Sequence, residues 1–324
     1  VDEFATIARL FEPLARGEPG ALGLTDDAAV LAVASGRRLV VTTDVIVEGV
    51  HYLADDPAPL VARKLVRANL SDLAAMGARP RHYLVGLALR SPVSEPWLEG
   101  FAEGLAADQA AYGIVLVGGD TTAHDGPTVL ALTALGEVEE GRELRRGGAR
   151  DGDRIWVSGT IGDGILGLRA LRGALGHLDP DHRAYLADRY RLPRPRVELG
   201  PRLVGLAHAA IDVSDGLIAD LGHVCATSGL GAVVAVDRVP LSAAAREAVS
   251  ADSSLRDAIL SGGDDYELLF TAPRKADEAL RALSSALDLP LTPIGAMTRD
   301  PALVLEEPDG TRRPAPRRGG WTHF

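Results

Sequence analysis

Leu39-Val40-Val41-Thr42-Thr43-Asp44-Val45-Ile46-Val47-Glu48-Gly49-Val50-His51 is the stretch on which the reading of this chain turns. An apolar, β-branched run leads into two threonines and an aspartate, and a histidine follows seven residues later. A strand ending this way holds a carboxylate and two hydroxyls at the rim of a sheet, where ligands of open α/β sheets sit. A single Asp after a strand can equally be a turn former or a helix cap, so the weight falls on repetition. Asp26-Asp27 precede the apolar run Ala28 to Leu31, and Asp72 sits within Asn69 to Gly77. Asp120 ends Ile114 to Gly119, Asp212 and Asp215 flank Ser214 after Ala209-Ala210-Ile211, and Asp264-Asp265 follow Gly262-Gly263. Aspartates placed again and again where apolar elements end, beside Gly, Ser or Thr, point to hard-cation ligands gathered at one end of a sheet.

Composition narrows the classes. At 324 residues the chain exceeds the usual single domain, and 46% hydrophobic residues suffice for substantial cores. No apolar run approaches the roughly 20 residues that a membrane span needs, and Val1 to Arg16 read as an amphipathic helix rather than a signal peptide. The expectation is a cytoplasmic protein without a membrane partner. A formal charge of −11 argues against nucleic acid and leaves room for anionic ligands held through metal ions. The lone cysteine, Cys225, excludes an intramolecular disulfide framework and a Cys-based zinc site. It shares a helical face with Leu217, Leu221 and Val224, which suggests a buried structural thiol.

Taken in order, Asp2 caps a first helix that Gly17 and Gly20 break. Strands are expected over 28–33 and 38–43, then a helix from Pro59 to Met76 stopped by Gly77. Asp72 falls in its last turns, where the helix dipole disfavours an anion and a cation would compensate. A strand over 82–89, a helix from Glu95 to Tyr112 capped by Ser94, and strands over 114–118 and 128–138 complete the first half. The polar segment Glu139 to Asp153 marks a boundary, giving domains 1–140 and 141–324. The second half opens with strand 154–158 and Gly162, Gly164 and Gly167. That spacing matches a dinucleotide fingerprint, but Asp163 within it would repel a pyrophosphate, so a glycine-rich helix start is preferred. A helix from Arg194-Pro195-Arg196 to Ala207, strand 209–213 and a helix to Thr227 follow. Strands near 232–236, 266–271, 291–296 and 302–306 then alternate with helices at 242–249 and 275–287. Neither Lys64 nor Lys275, the only lysines, sits in a Walker A loop, and there is no G-x-S-x-G or H-E-x-x-H motif.

Thr42-Thr43-Asp44 with His51, Asn69 to Gly77, Gly118 to Thr122, Ser158 to Asp163, Ile211 to Leu217 and the tail Gly320-Trp321-Thr322-His323-Phe324 together resemble the thiamine-monophosphate kinase family. The likeness runs from Phe4 to Phe324, and each motif alone is shared with the wider aminoimidazole-ribonucleotide synthetase superfamily. The resemblance implies an α/β (α+β) protein of two domains, the first binding ATP and dimerising through its sheet, the second an α/β domain of the superfamily type. It implies a homodimer that phosphorylates thiamine monophosphate with ATP, using several Mg²⁺ ions. By the same resemblance Asp27, Thr42, Thr43, Asp44, Asp72, Asp120, Asp212 and Asp215 are metal ligands, with Asp44, Asp72 and Asp212 catalytic through bound Mg²⁺. Tyr112, Gly119, Asp120, Arg146 and Ser214 contact ATP, and His51, Asp264 and Trp321 contact the thiamine substrate. Two positions depart from the family pattern: Asp264 stands where Glu is usual, and Thr25 where Gly is usual. The alternatives are another ATP-using member such as aminoimidazole-ribonucleotide synthetase, or a non-catalytic nucleotide- or metal-binding sensor.

Overall fold

The computed structural model describes residues 3–316. The cap assigned to Asp2 and the acceptor contact assigned to Trp321 lie outside them. The chain divides into two compact units, one running to Leu73 and resuming over Ala78–Gly141, the other comprising Ala74–Gly77 and the chain from Arg142 onward.

In the first unit β1 (Arg37–Val47), β2 (Arg79–Arg90), β3 (Val115–His124) and β4 (Val129–Glu139) form one sheet in the order β1-β4-β2-β3. Only β2 and β3 run parallel, and the helix Glu95–Tyr112 supplies the crossover that parallel neighbours require. Ser94 accepts the Trp97 N–H at its start and Gly113 ends it with φ 66°. Helix Ala58–Ala75 buries Val61, Leu65, Leu70 and Leu73 at helical spacing. Alternate residues Tyr83, Val85, Leu87 and Leu89 of β2 and Leu130, Leu132 and Ala134 of β4 are buried. The other face of the sheet stays open, with Leu39, Val41, Val45 and Leu84 exposed by 44, 55, 50 and 36%.

Three expectations are corrected here. The segment over 28–33 forms no strand: the Val30 N–H donates to Gly20 O instead of a ladder, and Val30 is 72% exposed. β1 runs on to Val47, so Thr42, Thr43 and Asp44 lie inside the strand and not at its rim. β3 likewise continues through Asp120 to His124, because pairing with β2 extends to Arg90 opposite His124. At the N-terminus a helical run over 3–15 contains a wide turn at Ile7–Phe11. There the Glu12 N–H reaches back to Ile7 O, just before Pro13, which has no N–H to give.

The second unit is built on a seven-stranded sheet, β11-β10-β7-β9-β5-β8-β6. Its strands are β5 (Arg154–Ser158), β6 (Ala209–Asp212), β7 (Gly231–Ala235), β8 (Leu268–Ala272), β9 (Leu291–Thr298), β10 (Leu303–Glu306) and β11 (Arg312–Pro314). Both faces are covered. Ile155, Val157, Ile211 and Leu269 pack with helices Asp163–Leu171, Leu217–Ser228, Ala243–Ala251 and Leu255–Ser261. Trp156, Ala210, Leu268 and Phe270 pack with helix Asp277–Leu287 through Leu280. The helix expected from Arg194 to Ala207 is replaced by helix Pro180–Arg191 and a single turn at Gly200–Leu203. Asp179 caps the former, accepting the Asp181 N–H, while Pro193 and Pro195 disfavour helix at the residues before them, and 193–196 form none. Cys225 is buried, and burial pushes its thiol up to about 11, as befits a structural residue. Among the described residues no helix is long and apolar enough to cross a membrane.

Candidate functional site

Strand register decides what each aspartate of the first unit faces. Asp44 pairs with Leu132, which pairs with Val85, and both neighbours are buried under the helices. Thr42, two residues earlier, shares that face, and its hydroxyl donates to Asp72 Oδ2 at 2.6 Å. Burial, and then the charge of Asp72, pushes the Asp44 carboxyl up to about 7. Two carboxylates crowded this way, with a hydroxyl beside them, form an all-oxygen donor set whose repulsion a divalent cation would relieve, and that fits Mg²⁺.

Thr43 points the other way. Its hydroxyl donates to Leu132 O at 3.1 Å and accepts from Thr133 on the open face. Asp120 pairs with Gly86 and so belongs to that open face too. There a pocket of about 500 Å³ is lined by Asp26, Asp27, Gly86, Gly118, Gly119 and Asp120 among others. Gly119 allows this arrangement, since a Cβ would stand 2.2 Å from Val85 O. The aspartates of the first unit are therefore divided: Asp44 and Asp72 on the helix side, Asp27 and Asp120 at the open face. Tyr112 stacks against the Arg67 guanidinium, 5.5 Å from its ring centre, while Arg67 also grips the buried Asp108 at 2.7 and 2.9 Å. His51 is set by backbone: its Nδ1 accepts the Val47 N–H at 3.0 Å, and its carbonyl accepts from buried Lys64 at 3.0 Å. With Nδ1 accepting, the proton of the neutral ring sits on Nε2.

In the second unit Asp212 ends β6, buried, and Ser214 and Asp215 follow in a turn. That turn is organised by a residue sequence reasoning missed. Asp220 Oδ2 accepts the N–H groups of Ser214, Asp215 and Gly216 at 3.1, 3.2 and 3.0 Å. The signal was available: helix Leu217–Ser228 starts at Gly216, which has no side chain to cap it, and an acid in its first turn takes over. Burial, and then Asp215, pushes Asp220 up to about 7, while the Gly216 and Asp215 N–H groups, and after them the Arg146 guanidinium, pull it back. Ligand atoms of Asp215, Asp220 and the exposed His223 lie within 4.8 Å of one another. Arg146, Ser214 and Asp215 are thus brought to one place.

Asp264 lies in the loop before β8 and is partly buried, with φ 69°. Its neighbour Asp265 is buried and accepts the N–H groups of Gly162 and Gly164 at 2.7 and 3.0 Å. The N–H groups of two fingerprint glycines are therefore already taken by the chain's own Asp265 carboxyl group, and the glycines open a helix as expected. Burial pushes the Asp265 carboxyl well above the usual range, and those two N–H groups draw it down.

Comparison with known proteins matches residues 25–138 to the N-terminal domain of AIR synthase related proteins and residues 150–307 to their C-terminal domain. The thiamine-monophosphate kinase of Caulobacter vibrioides is 42% identical over 324 residues, covering 99% of this chain and 90% of that protein. Among solved structures, the thiamine-monophosphate kinase of Stenotrophomonas maltophilia K279a is 44% identical with a TM-score of 0.85, covering 96% of this chain and 97% of that one. A structure described as AaThiL complexed with AMPPCP and TMP is 30% identical with a TM-score of 0.79, covering 92% and 91%.

Proposed function

The chain belongs to the AIR synthase related proteins and, within them, to the thiamine-monophosphate kinases, and from that membership we infer that it transfers the γ-phosphoryl group of ATP to thiamine monophosphate. The products are thiamine diphosphate and ADP, the last step of thiamine diphosphate biosynthesis. The observation that carries this reading is likeness to these kinases over nearly the whole chain.

The chemistry suits the residues. The acceptor is already a phosphate, with a second pKa near 6, so it offers an ionised oxygen at neutral pH and needs no general base. On the first unit we assign Asp44, Asp72 and Thr42 to metal, with Asp27, Asp120 and Thr43 as further candidates, Gly119, Asp120 and Tyr112 to ATP, and His51 to the acceptor. On the second unit we assign Asp212 and Asp215 to metal, Arg146 and Ser214 to ATP, and Asp264 to the acceptor. Bound Mg²⁺ would screen one polyanion from the other and stabilise the transferring group. His51 presents its Nε2 proton to the acceptor, because the Val47 N–H occupies Nδ1. We place the reaction in the cytoplasm, where ATP is made and used.

A coupled assay tests this. ADP should form with thiamine monophosphate, in step with thiamine diphosphate, and not with free thiamine, whose alcohol would require a base. ADP formation that responds only to a purine precursor would make the protein an aminoimidazole-ribonucleotide synthetase.

We further propose a homodimer formed through the open face of the first sheet. Leu39, Val41, Val45 and Leu84 expose on one side an apolar surface that a second copy would cover. Sedimentation should give a dimer at micromolar concentration, and Val41→Glu should shift it to monomer; a fully active wild-type monomer refutes the assignment.

A further inference from the structure

The loop that carries Asp264 is held in an unusual way. Asp264 and Tyr266 have φ of 69° and 52°, the left-handed region that residues with a Cβ occupy only when their surroundings impose it. Between them Asp265 turns inward to the two glycine N–H groups that open helix Asp163–Leu171. The main chain on either side is bound as well: the Asp264 N–H donates to Ser214 O at 2.9 Å and the Tyr266 N–H to Val213 O at 2.8 Å. Next along, buried Glu267 accepts from the Ser158 hydroxyl at 2.6 Å, from Arg196 Nε at 2.5 Å and from Arg189 at 3.2 Å. Segments 158–164, 213–216 and 262–267 are in this way one hydrogen-bonded block. Gly164 is shaped to it, since a Cβ there would stand 2.4 Å from Asp264 O.

We propose that Asp265 is a positioning residue for the acceptor: seated on the N–H groups of Gly162 and Gly164, it fixes the left-handed backbone that aims the Asp264 carboxylate. The proposal rests on Asp264 being an acceptor contact. One peptide link joins the two residues, so any shift of the inner carboxylate turns the outer one. The short Asp264 side chain leaves little slack to absorb such a turn.

Asp265→Asn is the discriminating change. An amide has one oxygen, and its NH₂ would meet a glycine N–H, donor against donor. We expect KM for thiamine monophosphate to rise about tenfold while KM for ATP changes less than about twofold. Adding Asp265→Asn to Asp264→Ala should have little further effect, because the group being aimed is already gone. Equal increases in both KM values, or independent effects in the double variant, would overturn the proposal. Gly164→Ala, whose Cβ presses on Asp264 O while the Asp265 side chain is kept, should give the same KM split and serves if Asp265→Asn does not fold; no split in it would also overturn the proposal. Amide exchange at Gly162 and Gly164 needs no substrate and should quicken in Asp265→Asn; unchanged protection sinks the clamp. Wild-type protein that makes no ADP with thiamine monophosphate would fail the functional reading instead, and the exchange result would still stand.

Discussion

Asp44→Asn is expected to lower kcat by about 10³-fold or more while leaving the metal-free protein at least as stable as the wild type. The two halves of this result share one cause. Burial and the nearby Asp72 push the Asp44 carboxyl up to about 7, far above its value near 4 in an unfolded chain. A group whose pKa is raised by folding contributes most below the unfolded value. That contribution falls as pH rises from about 4 to about 7, because the native state then holds a proton that the unfolded state releases. Wild-type protein without Mg²⁺ should therefore lose thermal stability across that window, and Asp44→Asn should flatten the loss. With metal and both substrates the order reverses, since the amide has given up the charge that holds the ion. Thermal melts in chelator from pH 4 to 8, set beside kcat against Mg²⁺ concentration, check both halves. Unchanged kcat with unchanged magnesium dependence would remove Asp44 from the site.

Asp220→Ala is expected to cost on the order of 3 kcal/mol of stability and most of the activity, because three N–H groups, one buried and two partly buried, lose one shared acceptor. All three bonds end on the same oxygen, Oδ2. Asp220→Asn, which keeps one oxygen, should fold much like the wild type. Its turnover then separates two roles: activity near wild type means that Asp220 only shapes the turn bearing Ser214 and Asp215. An Asn variant that is stable but inactive, with a higher Mg²⁺ requirement, would make Asp220 a metal ligand alongside Asp215. A stable, fully active Ala variant would contradict both.

Much of the fold was legible because each long element states its own ends. Ser94 and Gly113 bound one helix, Gly77 stops another, and Ile155-Trp156-Val157 reads as a strand that the sheet buries on both faces. The failures occurred where partners, not local pattern, decide. Ala28 to Val33 has the residues of a strand and pairs with no strand among the described residues, while Gly118 to Thr122 looks like a loop and is drawn into β3 by β2. The same limit applies to the site. Sequence nominated Asp44, Asp72, Asp120 and Asp215 as candidates, but only register shows that Thr42 and Thr43 face opposite ways and that Asp120 is on the other face from Asp44. Asp220 and Asp265 act through backbone N–H groups, which carry no letter in the sequence, so their partners could not be read from it.

The solitary thiol has a practical side. Cys225 lies at 6% exposure in the core of the second unit, with burial holding it protonated at neutral pH. An alkylating reagent must therefore wait until helix Leu217–Ser228 lifts from the sheet, and the labelling rate counts those openings. Because the sequence contains no other cysteine, each adduct marks this unit alone. The unaltered protein thus carries its own clock for the opening of the helix that begins beside Asp215, readable by mass spectrometry with and without nucleotide.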